Sequence, residues 1–262
     1  MITGSQQLFI NKAIPVFKKD KRILGVALGG AYARGTMDEY SDLEFMIVVE
    51  PSVFSEVLSE KEKIAENIGN LLAAFSATHI HRPDLLICMY GDPLVHVDLN
   101  FQPLDAIGDR MVDPVIQYEQ GTKLSDEYAK TQARIPKPDL QWYEDRFWIW
   151  VHYIANKIGR NELFDAIEGI SFLRQQVLGP MILMKNGYPP RGVREIELAC
   201  PMEIPRLVNT LAAHERKSGL KALKAATDLY IYLRGFNVSS VLRREAAEKK
   251  ALQYLNYISE RI

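Results

Sequence analysis

The periodicity of this sequence changes character once, at Arg134-Ile135-Pro136-Lys137-Pro138-Asp139. Before that point, short apolar runs bounded by glycine and proline alternate with helical patterns. Beyond it, almost every stretch repeats apolar residues at three- and four-residue spacing. Two prolines in three residues fix φ, remove two N–H donors and oppose helix in the residue before each, which suits a linker. The chain is therefore expected to be α+β: a front domain over residues 1–134 with a mixed β-sheet and flanking helices, then an all-α helical bundle over 140–262.

Within the front domain, Leu8 to Lys19 reads as an amphipathic helix, interrupted or begun again at Pro15. Ile23 to Leu28 is a short apolar run ending in Gly29-Gly30, as a buried strand entering a tight turn would be. Leu43 to Val49 is the next strand. Ser59 with Glu62 resembles a capping box, in a helical stretch expected to continue through Ile64, Ile68, Leu71, Leu72 and Phe75. Asp84 to Met89 and Leu94 to Phe101 read as an antiparallel hairpin closed by Tyr90-Gly91-Asp92-Pro93. In the back half, helices are expected over Trp142 to Ile158, Glu162 to Lys185, Ile204 to Lys217, Leu220 to Arg234 and Val241 to Ile258.

Charge narrows the class of partner. Lysine and arginine total 32 against 33 aspartates and glutamates, a formal charge of −1, and 47% of the 262 residues are hydrophobic. A protein that coats nucleic acid carries a large positive excess, because phosphate neutralisation drives that binding. The balance points instead to a small-molecule substrate, or at most a locally basic cleft, and argues against a polynucleotide acceptor. Two cysteines, Cys88 and Cys200, make no disulfide framework and suit a reducing cytoplasm. No apolar run approaches the roughly 18–20 residues that span a bilayer, and no signal peptide is visible at the N-terminus. The expectation is a soluble cytoplasmic protein without a membrane partner, a monomer or homodimer.

The segment that carries chemistry is Ala27-Leu28-Gly29-Gly30-Ala31-Tyr32-Ala33-Arg34-Gly35-Thr36, followed by Ser41-Asp42-Leu43-Glu44-Phe45. Two glycines at a strand end let backbone N–H groups approach a ligand with no Cβ in the way. A short helical turn should follow, offering further N–H donors to an anion. Asp42 and Glu44, two apart at the start of a strand, project from one face. Side-by-side carboxylates repel unless a cation sits between them, and hard oxygen ligands suit Mg²⁺. A glycine turn for phosphates beside a carboxylate pair for Mg²⁺ describes a nucleoside-triphosphate site. Asp98 is the natural third carboxylate, because alternation in Val95 to Phe101 puts His96, Asp98 and Asn100 on one face.

These residues resemble the nucleotidyltransferase superfamily that includes DNA polymerase β. Its signature is a hydrophobic residue, Gly-Gly or Gly-Ser, about ten residues, then Asp-x-Asp or Asp-x-Glu in a strand; here eleven residues, Ala31 to Ser41, separate Gly30 from Asp42. The Ala-Tyr-Ala-Arg-Gly-Thr and Ser-Asp-x-Glu wording is most similar to the bacterial aminoglycoside and lincosamide nucleotidyltransferases, whose domain order also matches. The resemblance implies that Asp42 and Glu44 hold Mg²⁺ on the triphosphate of a nucleotide. It implies that Asp98 is the third metal ligand or the base for the acceptor hydroxyl. Gly29 and Gly30 would cradle phosphate, with Arg34, Ser41 and Lys157 as further nucleotide-binding residues. The co-substrates implied are a nucleoside triphosphate and a small-molecule hydroxyl acceptor, possible acceptors including antibiotic-like ones, with pyrophosphate released. One departure is that many relatives carry serine at the position of Gly30, where its hydroxyl contacts a phosphate.

Other signals have two readings each. Arg34 suits a phosphate contact or a salt bridge to Asp38 or Asp42, and Lys157 a phosphate contact or a cation at a helix C-terminus. His79 and His81 lack the third and fourth ligands of a zinc site. Trp142, Phe147, Trp148, Trp150 and Tyr153 on one helix read as bundle core before they read as a stacking platform. Glu144, Asp145, Asp165 and Glu168 read as a solvated helix face before they read, as the resemblance implies, as acids that bind a polycationic acceptor or act as base. The alternative function is a non-catalytic nucleotide-binding regulator of the HEPN toxin–antitoxin kind, since Arg146…His152 resembles the Arg-x(4–6)-His spacing of HEPN ribonucleases. Six residues on a regular helix set those side chains about 120° apart, which does not favour one site.

Overall fold

The computed structural model describes residues 2–236 and 241–262. It divides into two compact units, Met1–Ile135 and Pro136–Ile262. The first contains helices α1 (Gly4–Lys19), α2 (Gly30–Arg34), α3 (Phe54–Ser59), α4 (Lys61–Glu66) and α5 (Lys123–Ala129). Its strands are β1 (Ile23–Leu28), β2 (Leu43–Val49), β3 (Leu71–Ala77), β4 (Arg82–Tyr90), β5 (Val95–Pro103) and β6 (Val115–Glu119). They form one mixed sheet in the order β3-β4-β5-β2-β1-β6. Only the central β2–β5 pair is parallel; the other neighbours run antiparallel.

Alternation explains which side of the sheet is covered. Leu43, Phe45 and Ile47 of β2 and Val97, Leu99 and Phe101 of β5 pack against Phe9, Ile10, Ala13 and Phe17 of α1. The Phe9 and Tyr90 rings lie 4.6 Å apart in that layer. On the other face, a small cluster of Leu24, Val48, Ile107, Leu124 and Tyr128 covers β1 and the far end of β2. The near end of β2, with β5, β4 and β3, keeps that face open.

Helix α1 runs through Pro15 without interruption, and Thr3 and Gln6 form a capping box at its start. The helical stretch expected to continue to Phe75 is split into α3 and α4 and stops short. It ends at Glu66, and the chain turns through Gly69 and Asn70, both at positive φ, into β3. Short apolar runs fit either period, and here pairing with β4 decided the outcome. Ser59 caps nothing at an N-terminus; its hydroxyl donates to the Glu56 carbonyl. The β4–β5 hairpin forms as expected from the turn signal, with Tyr90 opposite Val95.

The second unit contains α6 (Leu140–Gly159), α7 (Leu163–Leu173), α8 (Gly179–Lys185), α9 (Ile196–Ala199), α10 (Ile204–Val208), α11 (Arg216–Arg234) and α12 (Glu245–Ser259). Helix α6 packs on α7, α11 and α12. The helix expected over Glu162 to Lys185 widens into a π turn at Arg174–Leu178, just ahead of Pro180, whose ring carries no N–H to donate. The helix expected from Ile204 to Lys217 stops at Val208, and the polypeptide turns before α11 begins at Arg216. Thr210, fully buried at that turn, donates to the Leu207 carbonyl and accepts Arg174 on its own carbonyl at 2.7 Å.

Glu144 is not on a solvated face. It has no exposed surface and accepts from the Tyr230 hydroxyl at 2.7 Å, Arg234 at 3.0 Å, the Arg244 backbone N–H at 2.9 Å and Trp148 at 3.3 Å. Phe147 and Trp148 are core residues, with Phe147 stacked on Tyr230 at 3.8 Å. No helix among the described residues is long and apolar enough to cross a membrane.

Candidate active site

The site is built at the open end of the central parallel pair. Glu44 of β2 and Asp98 of β5 are register partners. Neighbouring strands lie about 4.8 Å apart and partnered residues project to one side, so the two carboxylates share one face. Their alternating neighbours, Phe45 and Leu99, point into the core. Two anionic groups so placed repel each other, which makes the pair a receptor for positive charge. His96, two residues along the same face, sets its Nε2 3.2 Å from Asp98 Oδ1.

Strand β1 ends at Leu28, and Gly29 caps α2 while its N–H donates to the Glu44 carbonyl at 2.9 Å. That bond ties the glycine turn to the carboxylate strand. Gly30 follows at φ +52, and a Cβ there would overlap the Glu44 carboxylate. The first-turn N–H groups of a helix lack intrahelical acceptors, and α2 begins at Gly30, against the Glu44 carboxylate. Arg34 ends α2, and Gly35 closes it in the left-handed region.

Asp42 lies one residue before β2, in the loop that leads to it, and is half-buried. That loop is held from below. Gln6, 4% exposed, donates its side-chain amide to the carbonyls of Asp38 at 2.9 Å and Ser41 at 2.7 Å. Its amide oxygen accepts from the Thr3 N–H at 2.8 Å. Ser41 donates its hydroxyl to Asp38, which thereby sits below the usual carboxylate range. Residue order offered one cue to Gln6, its place three residues after Thr3 in a capping box, and nothing to connect it with residue 41.

The expected site residues thus fall into groups. Gly29, Gly30, Glu44 and Asp98 are brought together by strand pairing and the turn that ends β1, whereas Asp42 lies in the loop before β2 and is not gathered with Glu44 and Asp98 into a three-carboxylate cluster. Ser41 is engaged within its own turn. Lys157 belongs to the second unit, on α6, where it pairs with Glu162 at 2.6 Å and Asp165 at 2.7 Å. The hydrogen bonds it donates to Asp165 and Glu162 push its pKa well up. Arg146 stacks over Trp142 at 4.3 Å and His152 lies against Tyr254 at 4.7 Å, so each answers to a different neighbour. His79 packs near Phe75 at 5.8 Å.

Among the described residues, no three His, Cys, Asp or Glu side chains are gathered as a metal cage. The donors at Glu44 and Asp98 nonetheless fit Mg²⁺, which is usually held by one or two carboxylates with substrate phosphates and water completing the shell.

The site is thus a glycine turn joined to a strand carboxylate, with a second carboxylate in register beside it. Residues 10–88 match the family model for the nucleotidyltransferase domain. No curated protein matches the chain. Among solved structures, the chain is similar to an aminoglycoside 6-adenyltransferase from Bacillus subtilis, at 15% identity and TM-score 0.43, covering 99% of each chain. It is also similar to a nucleotidyltransferase-like protein from Exiguobacterium sibiricum, at 12% identity and TM-score 0.39, covering 90% of this chain and 75% of the other.

Proposed function

We propose that the protein is a Mg²⁺-dependent nucleotidyltransferase that moves a nucleoside monophosphate from a nucleoside triphosphate to a hydroxyl of a small molecule. The observation that carries this reading is the register pairing of Glu44 with Asp98 beside the Gly29-Gly30 turn. The hydroxyl oxygen attacks the α-phosphorus, the bond from that phosphorus to the bridging oxygen breaks, and pyrophosphate leaves. The hydroxyl proton passes to Asp98 or to water. Asp42, Glu44 and Asp98 would hold Mg²⁺, which supplies charge neutralisation on the triphosphate. The backbone of Gly29 and Gly30 would cradle phosphate, with Arg34 at the other end of α2 and Ser41 in the loop before Asp42. Lys157 would have to leave Glu162 and Asp165 to reach a phosphate. Most of the rate enhancement in such transfer comes from positioning and charge, which rigid strands supply well. The near-neutral total charge supports a small acceptor over a polynucleotide. The test is transfer of radiolabel from α-labelled ATP and GTP to an acceptor panel in Mg²⁺. Label transfer that Asp98→Asn abolishes is expected. No transfer and no pyrophosphate release with either nucleotide would refute the reading.

A further inference from the structure

The face that carries Glu44 and Asp98 continues past them. Register runs from Glu44 to Asp98, then to Ile87 of β4 and Phe75 of β3. Four side chains therefore stand on one face at one level of the sheet. Leu85 lies beside Asn100 and Met89 beside His96 on the flanking levels. The reverse faces of β4 and β5 are sealed, with Leu86, Cys88 and Tyr90 in the core. The outer face is not: Phe75 is 52% exposed and Met89 44%. An apolar floor thus begins one strand spacing, about 4.8 Å, from Asp98 and extends to about twice that at Phe75.

At the start of β4 the apolar floor ends at a neutralised pair. Arg82 clasps Asp84 with two nitrogens, the shorter contact being 2.6 Å, and also donates to Asn100 Oδ1 at 2.9 Å. Beyond Asp98 the floor of Leu85, Ile87, Met89 and Phe75 offers no carboxylate to meet the several ammonium groups of a polycation, and Asp84, just before Leu85, is committed to Arg82. A neutral ring system would instead cover Ile87, Met89 and Phe75 and remove their apolar surface from water.

We propose that the β4–β3 face is the acceptor subsite, and that it takes a hydroxylated molecule carrying a hydrophobic ring, not a polycation. The inference rests on the reading of Glu44 and Asp98 as the transfer site. The acceptor hydroxyl lies at Asp98, and its ring lies over Ile87 and Phe75. Continuity with the carboxylate row distinguishes this face from a scattered surface patch, because the row leads directly from the proton-accepting group onto the floor.

The experiment uses the full chain with methyl-labelled Met and Ile, phenyl β-D-glucoside as the neutral probe and kanamycin as the polycation. Phenyl glucoside is expected to shift the Met89 and Ile87 methyl resonances, with Phe75→Ala weakening its binding about tenfold, the loss of part of one ring's burial. Kanamycin is expected to leave both methyls unmoved. A fluorescent ATP analogue, titrated separately, is expected to bind wild type and Phe75→Ala equally. Met89 and Ile87 methyls indifferent to the glucoside would overturn the subsite while nucleotide binding still stands. Kanamycin shifts that ignore Phe75→Ala would overturn the ring specificity. Glucoside binding in a protein that binds no nucleotide would overturn the acceptor role together with the transfer reading. A dimer in sedimentation that Phe75→Glu dissociates would assign the face to a second copy and overturn the proposal.

Discussion

Gly30 and Glu44 occupy each other's space: the Glu44 carboxylate fills the position a Cβ on residue 30 would take. Gly30 also sits at φ +52, a region costly for residues with a side chain. This gives a local reason for glycine where many nucleotidyltransferases carry serine. A serine here would have to move the carboxylate or the turn.

Substituting Gly30→Ala should therefore do two things at once. The backbone conformation costs about 1 kcal/mol, seen as a fall of several degrees in Tm. Displacement of Glu44 should weaken nucleotide binding about tenfold or more, measured by titration with a fluorescent nucleotide. Unchanged affinity would mean that Glu44 does not face the nucleotide.

Glu44→Gln and Asp98→Asn each keep shape and remove charge. Both should reduce transfer by about a hundredfold or more with Tm unchanged or slightly raised, because each relieves repulsion between register partners. Single-turnover label transfer beside a thermal melt separates the two effects. A substantial drop in Tm would assign the pair a structural role.

Gln6→Ala leaves two carbonyls, those of Asp38 and Ser41, without their buried donor. A cost of about 1–3 kcal/mol in urea unfolding is expected. Loosening the loop before Asp42 should also slow transfer, while Gln7→Ala, one residue along on the same helix, leaves the rate unchanged. Equal rates in both variants would show that the loop does not need the clamp.

Glu144→Ala removes one of the two carboxylates that hold Arg234, leaving Glu248 at 2.9 Å, and takes the buried acceptor from the Tyr230 hydroxyl, at an expected cost of about 1–3 kcal/mol. The pH dependence has a definite sign. Burial pushes the Glu144 carboxyl up, but Tyr230, the Arg244 N–H and Arg234 outweigh it and hold it below its ordinary value of 4.5. Its contribution is present above pH 4.5 and fades as pH falls through the depressed folded value. Denaturant titrations of wild type and Glu144→Gln should converge below that pH, and a gap that persists would refute the assignment.

Lys157→Ala should change nucleotide affinity less than about threefold, since its ammonium is held by Glu162 and Asp165. A larger rise in nucleotide KM would show that the cation leaves those partners to meet phosphate.

Much of the site was visible in residue order because it is encoded locally. The Gly29-Gly30 turn, β2 and the alternation around Asp98 each depend on a few consecutive residues, and strand period alone places Asp98 opposite the apolar side chains. Elements that failed were those whose local pattern fits two structures. Leu71 to Phe75 is apolar in a way that suits helix or strand, and β6 has too little alternation to stand out. Glu144 reads as an ordinary surface acid until Arg234, ninety residues away, is brought to it.

Residue order alone was enough for the chemistry on offer, a glycine turn and carboxylates at strand starts, and for the break between a mixed front and a helical back. Tertiary structure decided the neighbours. Parallel pairing of β2 with β5 set Glu44 beside Asp98, antiparallel pairing set Ile87 and Phe75 in the same row, and Gln6 was drawn beneath the loop before Asp42. Local sequence acts through backbone torsion and side-chain period over a handful of residues, whereas register across strands is settled only when the buried face of the whole sheet packs.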